Sequence, residues 1–443
     1  MNSPKSKHSS SPVPKVAPSY SSALISYVKS ILTFKGSIIS SNCPALFLSG
    51  VSLLELAADW GDYFSFLVDA SNSQNSTDKS LNVAKWVLSS FRSSYFGMSL
   101  GDRISIKKPY NPILGEQFYC EWFHEEYGTT KLTCEQVSHH PPISAFSLEN
   151  DKYEIICNGY SEQRLKFAGT SLTVDQVGVV SVLFKKTNQL SVISLPSLSI
   201  SGLLVADPIV EICGTVLIRS SDQTNCILEF IKKPYFYGNY FKFKGIITPY
   251  SNNERKRNDP EEIQLNSAKN QNSEKSCVME GNWTTSSTFN LVENGKASKS
   301  NSNVSSSTNN LKNYKNARSD SPKPQNLLDF EDLKPLKRVI APLSSQSEFE
   351  SHKVWHDVTE ALGVLDFNKA AESKNLIENA QRELRKTEKT NNYAWSPRLF
   401  TFIEFNDIKN SEFRDAFQNV QSEKPNISNG LWVKNELLDM YKS

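Results

Sequence analysis

No CxxC pair occurs in this chain of 443 residues, and its cysteines stand singly at 43, 120, 134, 157, 213, 226 and 277. An odd number without metal-ligand spacing disfavours a disulfide framework and suits a reducing compartment. Charge of one sign is missing too: 49 Lys and Arg against 47 Asp and Glu leave a net +2, so no broad basic surface is available for nucleic acid. The first residues, MNSPKSKHSSSPVPKVAPS, lack the apolar run of a signal peptide. The longest apolar-leaning stretch, Leu198 to Ile218, contains Asp207, Pro208 and Glu211, which a membrane-spanning helix does not tolerate near its middle. It reads instead as two strands around a turn. GxSxG, GxxxxGK[ST], GxGxxG and HExxH are all absent, so the common hydrolase, P-loop, dinucleotide and zincin mechanisms have no anchor. Neither catalysis nor a cofactor is expected.

What is present is enough apolar residue, 38%, to fill a sizeable core. Residues 1–19 are Pro- and Ser-rich and read as a disordered tail. Leu24, Tyr27, Val28 and Ile31 then recur at helical spacing opposite a serine-rich face, which predicts an amphipathic helix over about 20–34. Helical patterns also run from Ser52 to Leu67 and from Ser80 to Tyr95. Between Leu100 and Pro249 the period changes to short β-branched and aromatic runs such as VGVVSVLF (177–184) and CILEFI (226–231), broken by turn residues. Many strands without intervening helices predict an antiparallel barrel or sandwich. Most of the stretch 251–325, dominated by Asn, Ser and Lys, reads as a disordered insertion, with one apolar island at Val278 to Trp283 that is a candidate strand. Deleting 255–275 is accordingly expected to leave the melting temperature nearly unchanged, within a few tenths of a kcal/mol of stability; a clear fall contradicts the reading. Helical character returns over Trp355 to Arg385, and all parts from 20 to 443 read as one domain.

The chemistry concentrates in one string, Glu135-Gln136-Val137-Ser138-His139-His140-Pro141-Pro142. Two prolines directly after two histidines restrict the backbone and set both imidazoles at a strand end, an arrangement suited to an anion. A shared metal site is disfavoured, because neighbours on an extended chain point to opposite faces. Lys107-Lys108-Pro109-Tyr110-Asn111-Pro112-Ile113-Leu114-Gly115-Glu116 lies upstream, and Gln381-Arg382-Glu383-Leu384-Arg385-Lys386 lies downstream.

These three segments resemble the EQVSHHPP, KKPxNPxLGE and QRELRK signatures of the oxysterol-binding protein-related family. Eight consecutive matching residues make the first highly specific, and the likeness runs over most of 20–405. It is closest to the short yeast type, which consists of the lipid-binding domain alone. The resemblance implies an α+β fold dominated by β: a large incomplete antiparallel β-barrel enclosing a lipid tunnel, with an N-terminal helical lid and C-terminal helices. It implies a cytosolic, monomeric lipid-transfer protein that touches membranes transiently, at the endoplasmic reticulum and Golgi, and carries sterol and phosphatidylinositol 4-phosphate in one tunnel. Phosphatidylserine or another phospholipid as cargo, and a lipid-responsive regulator with little transfer, are the alternatives.

Carried over residue by residue, the family's head-group ligands match Lys108, Asn111, His139, His140, Lys374, Glu378 and Arg382. Positions 374, 378 and 382 lie four apart on one helix face, two cations flanking a carboxylate. The lid and sterol tunnel map to Leu24, Tyr27, Val28, Ile31, Ser94, Tyr95 and Tyr110. Two departures stand out: Ser94 replaces a glutamine that contacts the sterol hydroxyl in the sterol-binding short yeast type, and aliphatic Leu24 replaces an aromatic lid residue. Glu412-Phe413-Arg414-Asp415-Ala416-Phe417 faintly resembles a receptor-docking motif but reads as a C-terminal helix.

Overall fold

The computed structural model describes residues 20–33, 43–100, 107–168, 171–205, 208–234, 238–249, 276–292 and 323–442. A 14-stranded antiparallel sheet dominates it. Strands Gln117–His124, Gly128–His139, Pro142–Asn150, Ile155–Ala168 and Ser171–Phe184 pair in chain order, and the run continues through Ile209–Ser220, Thr224–Ile231 and Lys242–Pro249. One edge is Gln325–Asp329 and the other is Arg338–Val339, paired with Gln117–His124. Laid flat, such a path would separate its edges by about 60 Å. The segment 330–337 that joins them reaches about 30 Å at most. The sheet therefore curls into a barrel that hydrogen bonds do not close.

Strand alternation explains why VGVVSVLF carries no polar face. Val180, Val182 and Phe184 point into the main core, while Val179 and Leu183 belong to a second apolar cluster outside the barrel wall. That outer layer comes from the chain's end: the pair Phe400–Glu404 and Gly430–Lys434, with helix Ser411–Glu423. Its Phe413 and Phe417 are buried against the wall, so the receptor-motif look-alike is a packing helix. A strand covered on both faces reads as a continuous apolar run.

Inside, helix Ser76–Leu100 packs along the inner wall strands Ile209–Ser220 and Thr224–Ile231. The helical pattern at Ser52 to Leu67 divides into a 3-10 turn, Leu53–Trp60, and a helix, Ser65–Asn72. Ser52 starts the turn with a reciprocal capping box to Glu55. Trp355 to Arg385 likewise breaks into His356–Gly363 and Phe367–Thr390, because Leu365 adopts a positive φ of 60° and the Asp366 side chain caps the second helix at the Lys369 amide.

The span read as an insertion needs correcting. Within 251–325, Ser276–Asn282 and Ser286–Val292 form a hairpin of the main sheet that buries Cys277, Met279 and Trp283. Asn- and Ser-rich flanks masked its alternation. Residues 250–275 and 293–322, like the tail 1–19, lie outside the described residues. All seven cysteines are unpaired thiols. No helix among the described residues is long and apolar enough to cross a membrane.

Candidate functional site

Three chain segments far apart in sequence converge near the end of strand Gly128–His139. A bulge at Val137, where Gln136 faces Ser144 but Ser138 faces Ile143, breaks the alternation before the histidines. The two imidazoles consequently do not diverge: their centroids lie 4.7 Å apart, edge to face. The expectation that neighbouring histidines point apart fails here because the strand is no longer regular. The His139 ring meets the Pro112 carbonyl, next to Asn111, and its Nδ1 is buried without a hydrogen-bond partner. Burial first, then the charges of His140 and Arg385, hold the His139 pKa below its ordinary value. His139 is therefore neutral at pH 7, and His140 is exposed beside it.

Helix Phe367–Thr390 supplies the cations. Lys374 is 9% exposed and donates to Glu378 Oε1 at 2.6 Å; Arg382 reaches Glu378 Oε2 at 3.4 Å and Asn379 at 2.6 Å. Glu378 thus holds the two cations in line, as the i,i+4 spacing predicts. Its charge also bears on His139, which ties this helix face to the histidine pair. Lys108, exposed at the start of strand Lys108–Tyr110, and Lys374 both act on the buried Cys43 thiol, whose pKa burial nevertheless pushes up. Beside Lys374 lies a pocket of about 180 Å³ lined by Cys43, Pro44, Ala45, Ala371 and Asn375.

Arg385 was overlooked in the motif. Its Nε and Nη1 are buried without partners while Nη2 pairs with Glu388 at 2.9 Å, and its charge reaches His139. The signal was available: position 385 is seven residues after 378 and falls on the same helix face. Two buried, unpaired guanidinium nitrogens leave donors available to an anion, whereas Nδ1 of the neutral His139 ring is an acceptor that becomes a donor only when an anion draws a proton onto the ring.

The residues assigned to lid and tunnel separate into groups. Helix Tyr20–Thr33 packs on the turn Leu203–Val205, with Val28 buried and Tyr27 stacked on Phe47 at 5.5 Å. The side chains of Leu24 and Ile31 lie outside the described residues. Tyr95 accepts from Gln176 Nε2 at 2.7 Å across the interior. Tyr110 is fully buried: it stacks on Trp355 at 4.6 Å and its hydroxyl meets Thr359 at 2.9 Å, because a fully buried phenol requires a partner.

Ser94 sits beside an ion cluster that the sequence did not announce. Arg338 donates to Asp62 through Nε (2.7 Å) and Nη2 (2.6 Å) and also binds Asp59. Burial pushes the Asp59 pKa up to about 6 against the Arg338 charge, with Asp62 adding to the rise and Ser94 opposing it. An unfolded aspartate titrates near 3.9, so proton uptake by the fold stabilises it below about pH 4 and that contribution is lost as pH rises through 6. Asp59→Asn is expected to raise stability at pH 8 by roughly 1–3 kcal/mol and to leave it unchanged at pH 4, read as melting temperatures.

A family model described as oxysterol-binding protein matches residues 36–424. The chain belongs to the oxysterol-binding protein family. It is 29% identical to Protein kes1 of Schizosaccharomyces pombe over 412 residues, 93% of either chain. To Protein KES1 of Mycosarcoma maydis it is 31% identical over 371 residues, 82% of this chain and 83% of that one. Among solved structures it is similar to the Osh1 ORD domain in complex with cholesterol, with a TM-score of 0.66 at 20% identity over 94% of this chain and 88% of that one. The Osh3 ORD of Saccharomyces cerevisiae in complex with PI(4)P gives 0.61 at 19% identity, over 90% and 94%. At such identities the likeness carries the fold.

In this member of the oxysterol-binding protein family the signatures contain struts as well as candidate ligands. Glu135, which opens the histidine string, accepts the Arg398 and Leu399 amides at 2.8 Å each and so pins the outer layer to the barrel. Glu116, which closes the LGE turn, is fully buried with four donors around it. Gly115 of that turn has φ 79°, and a Cβ there would meet Trp395 at 3.2 Å. Those constraints fix the turn whose Pro112 carbonyl, next to Asn111, meets His139.

Proposed function

We propose that the protein carries a sterol or phosphatidylinositol 4-phosphate, one molecule at a time, in its barrel and exchanges them between membranes. The observation that carries this reading is the His139 and His140 ring pair within reach of the charges of Glu378 and Arg385, on the helix that also bears Lys374 and Arg382. A phosphomonoester near its second ionisation brings close to two negative charges and several acceptor oxygens, which this cluster of donors matches. Sterol enters the reading through the barrel's apolar interior and the family's name. No bond is made or broken. Because both lipids occupy one tunnel, each is released where the other is plentiful, and a phosphoinositide gradient can drive sterol transport.

Extraction from liposomes tests it, with labelled sterol, phosphatidylserine and phosphatidylinositol 4-phosphate offered singly and in competition. Mutual displacement of sterol and phosphoinositide is expected. Uptake of the phosphoinositide with phosphatidylserine but not sterol would replace the cargo. Uptake of the phosphoinositide alone would leave a regulator.

The N-terminal helix is the lid in this reading. Removing residues 1–34 takes away the Tyr27–Phe47 stack and the buried Val28. Faster escape of bound lipid and a several-fold lower net transfer are expected in a vesicle-to-vesicle assay. Unchanged transfer would make the helix an ordinary part of the wall.

A further inference from the structure

His139 is held in one tautomer. A carbonyl oxygen only accepts, so the ring nitrogen that meets the Pro112 carbonyl carries the hydrogen of the neutral imidazole. Nδ1 is buried without a hydrogen-bond partner, so the nitrogen at Pro112 is Nε2, and Nδ1 presents a lone pair. The other tautomer would set a lone pair against the carbonyl and lose that bond. His139 therefore offers no hydrogen at Nδ1 unless the ring gains one.

Burial opposes that gain first, and two cations oppose it next. His140, beside it on the same strand, lies 4.7 Å away between ring centroids, and Arg385 reaches it from helix Phe367–Thr390. Glu378 on that helix favours a charged ring, but its oxygens are already shared by Lys374 and Arg382. A phosphate dianion reverses the balance. Its oxygens cannot sit against a lone pair, and its charge draws a proton onto Nδ1. The hydrogen then lies between Nδ1 and a phosphate oxygen, whichever of the two it is assigned to.

Resting on the head-group reading above, we propose that each phosphomonoester head group is bound together with one proton, taken from solvent onto His139 Nδ1, so that phosphoinositide is collected at low pH and given up as pH rises. The second ionisation of the phosphate lies near pH 6, so above about pH 7 the free ligand is a dianion and the free ring is neutral. One proton taken up makes the affinity fall about tenfold per pH unit in that range. A sterol carries no titrating group, so pH acts on one of the two cargoes only. Anionic membrane surfaces concentrate protons and favour collection there.

Calorimetric titration of the full chain with dioctanoyl phosphatidylinositol 4-phosphate, repeated at about pH 7.5 in buffers of different ionisation enthalpy, counts the protons. About one per lipid is expected, with the dissociation constant rising about tenfold per pH unit from about pH 7 to about pH 8.5. His139→Asn places an amide donor where Nδ1 stands and is expected to bring the count close to zero and to flatten the pH profile. His140→Asn, at the exposed ring, is expected to keep a count near one. Should His139→Asn fail to melt cooperatively, His139→Gln, which likewise removes the titrating ring, takes its place.

A count near zero for the wild type with binding intact overturns the inference and leaves the head-group reading standing. A count that survives at position 139 but vanishes in His140→Asn also overturns it, by moving the proton to the exposed ring. If the wild type does not bind the phosphoinositide at all, the head-group reading and the inference fall together.

Discussion

Replacing His139 and His140 together by alanine is expected to lower phosphatidylinositol 4-phosphate extraction by about 100-fold or more while sterol uptake stays within twofold. Hydrogen bonds to a charged group contribute about 1.5–3 kcal/mol each, so two lost contacts amount to roughly 3–6 kcal/mol, and each 1.4 kcal/mol is a factor of ten. Stability should fall little, because His140 is exposed and the buried Nδ1 of His139 makes no hydrogen bond. The measurement is parallel extraction of the two lipids by variant and wild type, with thermal melting as the control. Equal loss of both lipids from a protein that still melts cooperatively would remove the histidines from the head-group site. Arg385→Gln offers a milder version of the same deficit, since it deletes the charge and keeps much of the side chain's bulk.

Glu116→Ala should have the largest effect on stability. Oε1 accepts from Ser52 at 2.6 Å and Ser351 at 2.7 Å; Oε2 accepts from the Ile113 amide at 2.9 Å and from Trp355 Nε1 at 3.0 Å. Ser351 has a second acceptor in the Gln117 carbonyl, whereas the Ile113 amide and the Trp355 indole each rely on Glu116 Oε2. Each buried donor left unsatisfied costs about 1–3 kcal/mol, so the sum is roughly 3–5 kcal/mol. A large drop in the denaturant midpoint is the expected readout. Phosphoinositide extraction should fall with it, because Glu116 anchors the turn that carries Asn111. Glu116→Gln, which keeps one oxygen acceptor, should fall in between. A midpoint for Glu116→Ala close to wild type would show that the four bonds are replaced by water.

Local pattern made the elements legible, and chain-distant contacts made the site. The apolar island at Val278 to Trp283 marked the strand Ser276–Asn282, but its partner Ser286–Val292 was missed because it sits beside Asn- and Ser-rich sequence, and composition over a wide window hides a short alternating run. The motif position of Tyr110 says nothing of its partners, Trp355 and Thr359, which lie more than two hundred residues later in the chain. The histidine pair was legible as a rigid donor set, but the bulge that turns both rings to one place depends on pairing with strand Pro142–Asn150.

Sequence alone determined the family, the strand-rich architecture, and the helix face bearing Lys374, Glu378 and Arg382, because motifs, period-two alternation and i,i+4 spacing are all local properties of a chain. Tertiary structure alone decided that Glu116 and Glu135 are struts, that Phe413 and Phe417 cover the barrel's outer wall, and that Asp59 and Asp62 share Arg338 across 276 or more residues of chain. A carboxylate's role follows from which donors surround it and whether water reaches it. Those are set by folding, and no spacing rule records them.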